Sequence, residues 1–491
     1  VCWRLGYRLM PLGAAKAVFL GAAGSAGGST NFVGWFEYDS AYRLNSNPNI
    51  AINSTGQIAC VSNFTDGANY LPYVFLLNED LTFAWQKSIG TINSRESSVD
   101  PGGLCFSAGG DIILNSTGVY GQSGWATDTG QTNMGPYLLF ELDKVDGSKN
   151  AGRIAYNDAD EDTNAGGVGT SGTYTWSAIR STDAGNVMMN ANSGADWSGN
   201  YFKHTAGSPQ GGGFWVDDVG GRGDNFAAIA ITWRTIGAST MYRPLIMDNN
   251  GTNSFNYQLI YNAASPGDPL YSGGITVDTS NNKYLSLYDG NDSNPASLMK
   301  VSGSTSTSMT IDWQKHYVGK VGTNKMWPSD VEIDSAGNSY WVGYVEATAN
   351  SYTGYHSFIM KHNSSGVLQW SRMMDPVHSG TAKFSSFYSV SVAPDDESFV
   401  VAGKFDDASN DGMLVVARLA ADGSGTGTYV TGGDIGTIDY FDGSSHIDTA
   451  SKTYTASNAT MNTNSDWVTE GATPTTSNAV LSAQTFASEP F

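Results

Sequence analysis

The residues best spaced for chemistry are three aspartates, Asp158, Asp160 and Asp162, in the run Asn157-Asp158-Ala159-Asp160-Glu161-Asp162-Thr163-Asn164. Carboxylates at alternate positions of a loop converge on one hard cation, because calcium prefers a cage of oxygen ligands. Thr163 stands where an EF-hand loop carries glycine, and the closing glutamate is missing, so that loop class is excluded. A solvated acidic turn and a calcium site remain as alternatives, and Ca2+ is the one cofactor to expect, if any. A second acidic loop, Asp406-Asp407 with Asn410-Asp411, reads as turn chemistry. The histidines, His204, His316, His356, His362, His378 and His446, show no metal-ligand spacing, and each is expected on the surface or in a loop. No Gly-x-Ser-x-Gly elbow and no Cys/His nucleophile pairing is present. Cys2, Cys60 and Cys105 are too few and too scattered for a disulfide framework or a zinc cluster. Cys60 and Cys105 lie in apolar strand-like runs and are expected as buried free thiols.

Binding chemistry is represented by aromatic residues in expected long loops: Trp125, Trp197, Tyr201, Tyr352 and Tyr355. Such rings stack on sugars or cap the surface of a fold, and these five are the glycan-binding candidates. Arg222-Gly223-Asp224 spells an integrin-type tripeptide, and Asn53, Asn115 and Asn363 open sequons. Both patterns arise by chance in a chain this rich in Gly, Asp, Asn, Ser and Thr.

The elements that must position these residues are strands. The chain has 491 residues, 59 of them glycine, and only 14% are charged. Abundant Ser, Thr, Asn and Gly disfavour helices, because the polar side chains compete for backbone hydrogen bonds and glycine loses entropy. Short strands joined by Gly/Asn/Asp turns are favoured instead. A hydrophobic fraction of 40% suffices for a packed core. The formal charge of −21 repels phosphate backbones, so nucleic-acid partners are excluded.

Internal repetition organises the chain. The clearest unit runs from Asp330 to Arg372. Val331-Glu332-Ile333 alternates as a strand, Asp334 to Asn338 is a tight turn, and Tyr340 to Gly343 is the partner strand. After a variable loop, Phe358 to Lys361 leads through the turn Asn363 to Gly366 into a strand carrying Trp370. Copies run from Ile50 to Lys87, with Trp85, from Ile275 to Lys315, with Trp313, and from Val390 to Gly423. Weaker copies pair Leu104 to Asn115 with Tyr137 to Gly147, and Ala178 to Asn190 with Phe214 to Val219. Another spans Phe226 to Thr232, Leu245 to Gly251 and Phe255 to Tyr261. Equivalent turns at Gly56, Gly109, Gly185, Asn281, Gly337 and Asp396 give modules of about 50 to 75 residues, enough for a four-stranded blade with one long loop. Each module is apolar on both faces of its middle strands and must stack on neighbours. The expected fold is all-β, a β-propeller of about seven four-stranded blades, with Phe32 to Tyr38 as the closing strand. A β-solenoid and a sandwich array are the alternatives.

The termini differ from the repeat. Met10 to Ala23 is apolar but interrupted by Lys16 and too short to span a membrane. It reads as an anchoring peptide or as a secretory signal behind Arg4 and Arg8, followed by a flexible Gly/Ser linker. No other stretch reads as a membrane span. The expected organisation is therefore a short N-terminal peptide with its linker over 1–30, a propeller over 31–443, and a Ser/Thr-rich extension over 444–491.

The pattern Asp334-x-x-Gly337-Asn338-x-Tyr340-x-x-Gly343, then Phe358-Ile359-x-Lys361 and Gly366-x-x-x-Trp370, resembles the β-propeller repeat of many bacterial and marine-virus proteins. In style it is similar to pyrroloquinoline-quinone-type blades, and the match covers roughly residues 47–443. The stretch from Pro11 to Ser29 resembles the start of uncharacterised structural proteins of marine phages, and Ser451 to Ser488 resembles their C-terminal runs. This resemblance implies a non-enzymatic structural or adhesive virion component, on a virion or extracellular. Its partners would be other virion subunits or a cell-surface glycan, with self-assembly through a donated strand. A secreted bacterial propeller that binds glycan or protein is the alternative. A polysaccharide-active propeller enzyme is a third reading, and its mark would be carboxylates with a basic or aromatic wall at the central funnel.

Overall fold

The computed structural model describes residues 14–21, 31–37, 43–44, 47–65, 70–92, 99–118, 137–157, 163–171, 174–181, 186–193, 200–206, 214–222, 225–236, 239–249, 255–261, 268–290, 295–303, 309–320, 325–409, 412–430, 436–459, 461–464, 467–471, 474–478 and 480–487. Among them every regular element is a strand, and no helix occurs. The architecture is all-β and built from antiparallel four-stranded modules, which is compatible with a β-propeller-like fold.

Module 6 shows how the sequence produces the unit. Its strands Met326–Ile333, Ser339–Ala349, Tyr352–His362 and Leu368–His378 pair in chain order, each antiparallel to the last. The first hairpin closes because Asp334 Oδ1 accepts hydrogen bonds from the amides of Ala336 and Asn338, while Gly337 takes φ +76°. Asn363 closes the last hairpin in the same way, accepting from the amides of Ser365 and Val367. The middle connection is shorter than the expected variable loop: Asn350 and Ser351 adopt φ 46° and 62°, a tight turn between two long strands. Tyr352 and Tyr355 therefore lie on a strand and not in a loop.

Six further modules follow this plan. Module 1 begins with Asn49–Ile52, module 2 with Val99–Phe106, module 3 with Thr163–Ser171, module 4 with Phe214–Arg222, module 5 with Leu270–Val277 and module 7 with Ser385–Val392. Phe214 to Val219 thus opens module 4 and is not the partner of Ala178 to Asn190. The latter stretch spans the second and third strands of module 3. In module 2 the positive φ falls on Gly110, one residue beyond the expected Gly109. The fourth strand of module 7 is Phe32–Glu37, antiparallel to Gly412–Ala420, as the closing-strand reading expects. It is fixed by Asn31, whose side chain accepts from the Ala420 amide and donates to the Ser424 carbonyl.

Apolar cores sit between modules. Phe399 and Val401 of module 7 pack with Tyr340 and Ile359 of module 6, while Val400 and Ala402 pack with Ile58 and Phe75 of module 1. A strand that is apolar on both faces buries both, each large side chain being worth about 1.5–3 kcal/mol. The first strands touch one another in chain order, and that of module 7 touches that of module 1.

The terminal segments join the modules. The C-terminal stretch visits the outer edges in reverse order, beginning with Thr437–Asp442 on module 6, Ile447–Thr449 on module 5 and Thr455–Ala459 on module 4. Met461–Asn464, Trp467–Gly471 and Pro474–Asn478 continue onto modules 3, 2 and 1. Val480–Ala487 ends beside module 7, parallel to Ala14–Gly21, the strand formed by the expected anchoring or targeting peptide. Ile447 and Tyr454 are buried and pin this belt to the cores.

Candidate functional site

The seven first strands enclose a cavity of about 270 Å³, and each contributes to its lining. Most of that lining is small or backbone, because paired glycines open the first strands at Gly102-Gly103, Gly166-Gly167 and Gly273-Gly274. A Cβ on Gly274 would sit 2.8 Å from Asp330 Oδ1 and 3.2 Å from Asp218 Oδ2. In modules 4 and 6 the equivalent pairs are Asp217-Asp218 and Ser329-Asp330, each at a β-bulge. A bulge re-aims one side chain without ending the strand. Here it brings Asp218 and Asp330 to the cavity together with Glu332.

These carboxylates are enclosed by protein except where they touch the cavity. Burial raises the Asp218 pKa to about 6; the nearby charges of Asp217 and Glu332 add to it, and the amides of Ile275 and Val219 oppose it. Burial, then the charge of Asp218, pushes Asp330 well above the carboxylate range. Glu332 is raised by burial, and the Ile333 amide and the Arg222 guanidinium pull it back.

Their hydrogen bonds run between modules. Asp218 Oδ1 accepts from the Val219 amide, and Oδ2 accepts at 2.9 Å from the Ile275 amide in module 5. Asp330 Oδ1 accepts from the Val331 amide. Its Oδ2 accepts from the Val390 amide at 2.9 Å and from Ser389 Oγ at 3.1 Å, both in module 7. Glu332 Oε1 accepts from Thr276 Oγ1 in module 5. Ser389 and Ser391 in turn receive the amides of Ile50 and Ile52 in module 1. All four Asp218 and Asp330 oxygens are thus occupied by donors, an arrangement suited to struts between modules. Cys105 also lines the cavity; burial raises its thiol pKa, as it does that of fully buried Cys60, and both are free.

An aromatic arc borders the same region. Tyr271 stacks on Tyr288, centroids 5.1 Å apart, and Trp327 stacks on Tyr344 at 5.0 Å. Tyr242 of module 4 leans on Tyr271, while Tyr355 stands edge-on to Trp327 at 5.3 Å and meets Phe384 at 6.2 Å. Trp327 lies three residues before Asp330 on one strand, and the arc residues themselves do not line the cavity.

The expected sites fare unevenly. Asp158, Asp160, Asp162, Trp125 and Trp197 lie outside the described residues, as do Gly223 and Asp224. Tyr201 falls on a strand opposite Asn190. Tyr352 packs against His356, with rings 5.3 Å apart. Arg222 donates to the Ile333 carbonyl. Asp407 accepts from the Ser409 amide, the turn chemistry expected there.

Three histidines depart from the surface expectation: His316 is 6% exposed, and His356 and His362 are 0% exposed. Each sits between strands with a polar partner: Ser297 Oγ at 2.8 Å for His316, Tyr317 Oη at 2.7 Å for His362 and Asp375 Oδ2 at 2.8 Å for His356. Burial lowers the pKa of His316 to about 4 and that of His362 to about 3. Among the described residues no cluster of three or more His, Cys, Asp or Glu is placed to hold a metal ion.

The cavity carboxylates and Trp327 belong to no motif of the sequence. The signal for the carboxylates is the recurring residue pair just before each first-strand apolar run: Gly-Gly in modules 2, 3 and 5, Asp-Asp in module 4 and Ser-Asp in module 6.

No family model matches the chain, and no curated protein matches it. Among solved structures, a protein of unknown function from Dyadobacter fermentans aligns with 83% of this chain and 99% of its own, at 8% identity and a TM-score of 0.42. A protein of unknown function from Bacteroides caccae aligns with 62% of this chain and 94% of its own, at 9% identity and a TM-score of 0.32.

Proposed function

We propose that the seven modules close into a β-propeller, and that the protein is a non-enzymatic adhesive or structural component displayed on a virion. The observation that carries the non-enzymatic reading is the occupancy of the axial carboxylates. Each Asp218 and Asp330 oxygen accepts a hydrogen bond from the protein, and Oδ2 of each accepts from the next module, which engages both groups as struts between modules. Closure is supported by the contacts of the first strands in chain order and by Arg418 of module 7. Arg418 reaches Glu79 of module 1, donating to its carbonyl at 3.0 Å and pairing with its carboxylate at 2.6 Å. The virion setting is supported by the resemblance of the terminal segments to marine-phage structural proteins. A secreted bacterial propeller uses the same surface chemistry.

A polysaccharide-active enzyme is the second reading, favoured by one observation: carboxylates in the cavity with an aromatic arc nearby, Trp327 and Asp330 sharing one strand. One experiment separates the readings. The purified protein is incubated with a polysaccharide panel while binding and product release are followed together. Adhesion predicts retention without fragments. Fragments that disappear with Asp218→Asn or Asp330→Asn would establish the enzyme. Mass spectrometry of purified particles tests the virion setting.

A further inference from the structure

We infer that the aromatic arc on modules 4 to 7 is a platform for a neutral, extended polysaccharide chain. This rests on the adhesive reading and assigns it a place and a ligand class. Some large aromatics of these modules are fully enclosed: Tyr284, Tyr340 and Trp341 are each 0% exposed. The rings of the arc are instead only half-buried, and they meet across the boundaries between modules 4 and 5 and between modules 6 and 7. Half-buried Tyr and Trp present an apolar face for contact and a polar tip for hydrogen bonding, and they order at little entropic cost.

The arc repeats. Tyr271 is paired in register with Tyr288 in module 5, and Trp327 with Tyr344 in module 6. Both pairs are stacked, with interplanar angles of 21° and 26°. Trp215 holds the same strand position in module 4, at an equal interval along the sequence. Stacked pairs repeated on successive modules suit a ligand that itself repeats. A sugar chain does so, offering one apolar pyranose face after another, whereas a folded protein surface lacks that periodicity.

Charge selects among repeating ligands. With a formal charge of −21, the protein repels uronate and sulfate polymers as it repels nucleic acid. Lys325, over the Trp327 ring at 5.8 Å, is the cation at the platform, and Asp217, bonded to Ser272, brings an anion next to Tyr271. The platform therefore carries charge of both signs beside its ring hydroxyls and indole N–H.

The test is affinity electrophoresis and pull-down of the full chain with neutral polymers (a soluble β-glucan, galactomannan and hydroxyethyl cellulose) and anionic ones (alginate and fucoidan). Retention by a neutral polymer is expected. Trp327→Ala and Tyr271→Ala, in different modules, should each weaken it tenfold or more, and Trp327→Phe should keep most of it. Val145→Ala, at an exposed position of module 2, should leave it unchanged. Thermal unfolding and circular dichroism establish that each variant is folded; should one fail, the other carries the test. Neutral-polymer binding that survives both alanine variants would overturn the platform and leave adhesion standing. Preference for the anionic polymers would overturn the ligand class. Failure of the wild-type protein to bind any polymer would sink the glycan-adhesion reading itself.

Discussion

Gly366→Ala tests how successive modules are locked together. Gly366 belongs to the last turn of module 6, at φ +76°, and a Cβ there would come within 2.6 and 2.8 Å of ring carbons of Trp313 in module 5. The same ring donates from Nε1 to the Ser364 carbonyl at 3.2 Å. Gly337, in the first turn of the same module, has the same φ of +76°, but a Cβ there would meet nothing nearer than 3.4 Å. Gly337→Ala therefore measures the left-handed backbone alone, about 1–2 kcal/mol. Gly366→Ala carries that cost plus overpacking against the indole, a further ~1–3 kcal/mol. In a Trp313→Ala background the obstruction is gone, and Gly366→Ala should fall to the Gly337→Ala value. The coupling is then ~1–3 kcal/mol, large for a pair so far apart in sequence. The assay is urea unfolding of the four variants and wild type, read as midpoint shifts at unchanged slope. Equal costs for the two glycine substitutions, or strict additivity of Trp313→Ala and Gly366→Ala, would refute the lock. The same contact recurs where Gly147 faces Trp85 and where Gly423 faces Trp370, so the repeated tryptophan and turn glycine of the sequence are two halves of one inter-module joint.

Three other outcomes are expected. His316 and His362 are held neutral, with folded pKa values of about 4 and 3 against 6.5 unfolded, so their contribution is present above pH 6.5 and is lost as pH falls towards 4. Each is worth on the order of 3 kcal/mol, and His362→Gln should flatten the acid limb of the urea midpoint between pH 6.5 and 4; an unchanged limb would contradict this. Asp218 has the opposite sign: its raised pKa makes its contribution fall as pH rises from 3.8 through about 6, by ~3 kcal/mol. Asp218→Asn should therefore lose less stability than wild type between pH 4 and 7, and a parallel profile would remove the carboxyl from the account. Truncation after Gly443 removes the belt strands of modules 5 to 1 and the last strand beside module 7, and with them buried Ile447 and Tyr454. It should lower the unfolding midpoint and expose strand edges that self-associate, as read by light scattering; a monomer as stable as the full chain would show that the belt is dispensable.

The repeat was legible where turn chemistry is strong. In modules 5 and 6, Asp278 and Asp334 announce the first hairpin, because an acidic side chain that caps its own turn leaves a fixed Asp-x-x-Gly or Asp-x-x-Asn spacing. Module 3 was obscured because its first strand, Thr163–Ser171, is largely Gly, Thr and Ser, with no apolar alternation to mark it, and Phe214 was drawn to the wrong module. The belt gave no pattern either. Its strands are three to eight residues in which Ser, Thr and Asn are frequent, and their order comes from edges already formed by other modules. The buried histidines were misjudged for a related reason: each partner lies on another strand, Tyr317 of the neighbouring module for His362, and Ser297 and Asp375 on the adjacent strand for His316 and His356.

The axial carboxylates show where sequence and function part. Asp217-Asp218 and Ser329-Asp330 occupy strand positions that other modules fill with glycine pairs, so the fold tolerates a small residue there and does not demand an acid. Modules 4 and 6 flank module 5, whose Gly273 and Gly274 leave room for both neighbours' side chains: a Cβ on Gly274 would meet Asp330 and Asp218 together. The two acids and the two glycines are thus one arrangement, in which module 5 yields space and modules 4 and 6 fill it. The charges stay costly, as the raised pKa values show, yet each carboxylate ties its own strand to the next module. The same two modules bear Trp327 and Tyr242 of the aromatic arc, so the struts fix the relative positions of the rings above them. A platform that reads a repeating sugar chain needs that constancy, because a shift of about 1 Å between modules would take one ring out of step with the next.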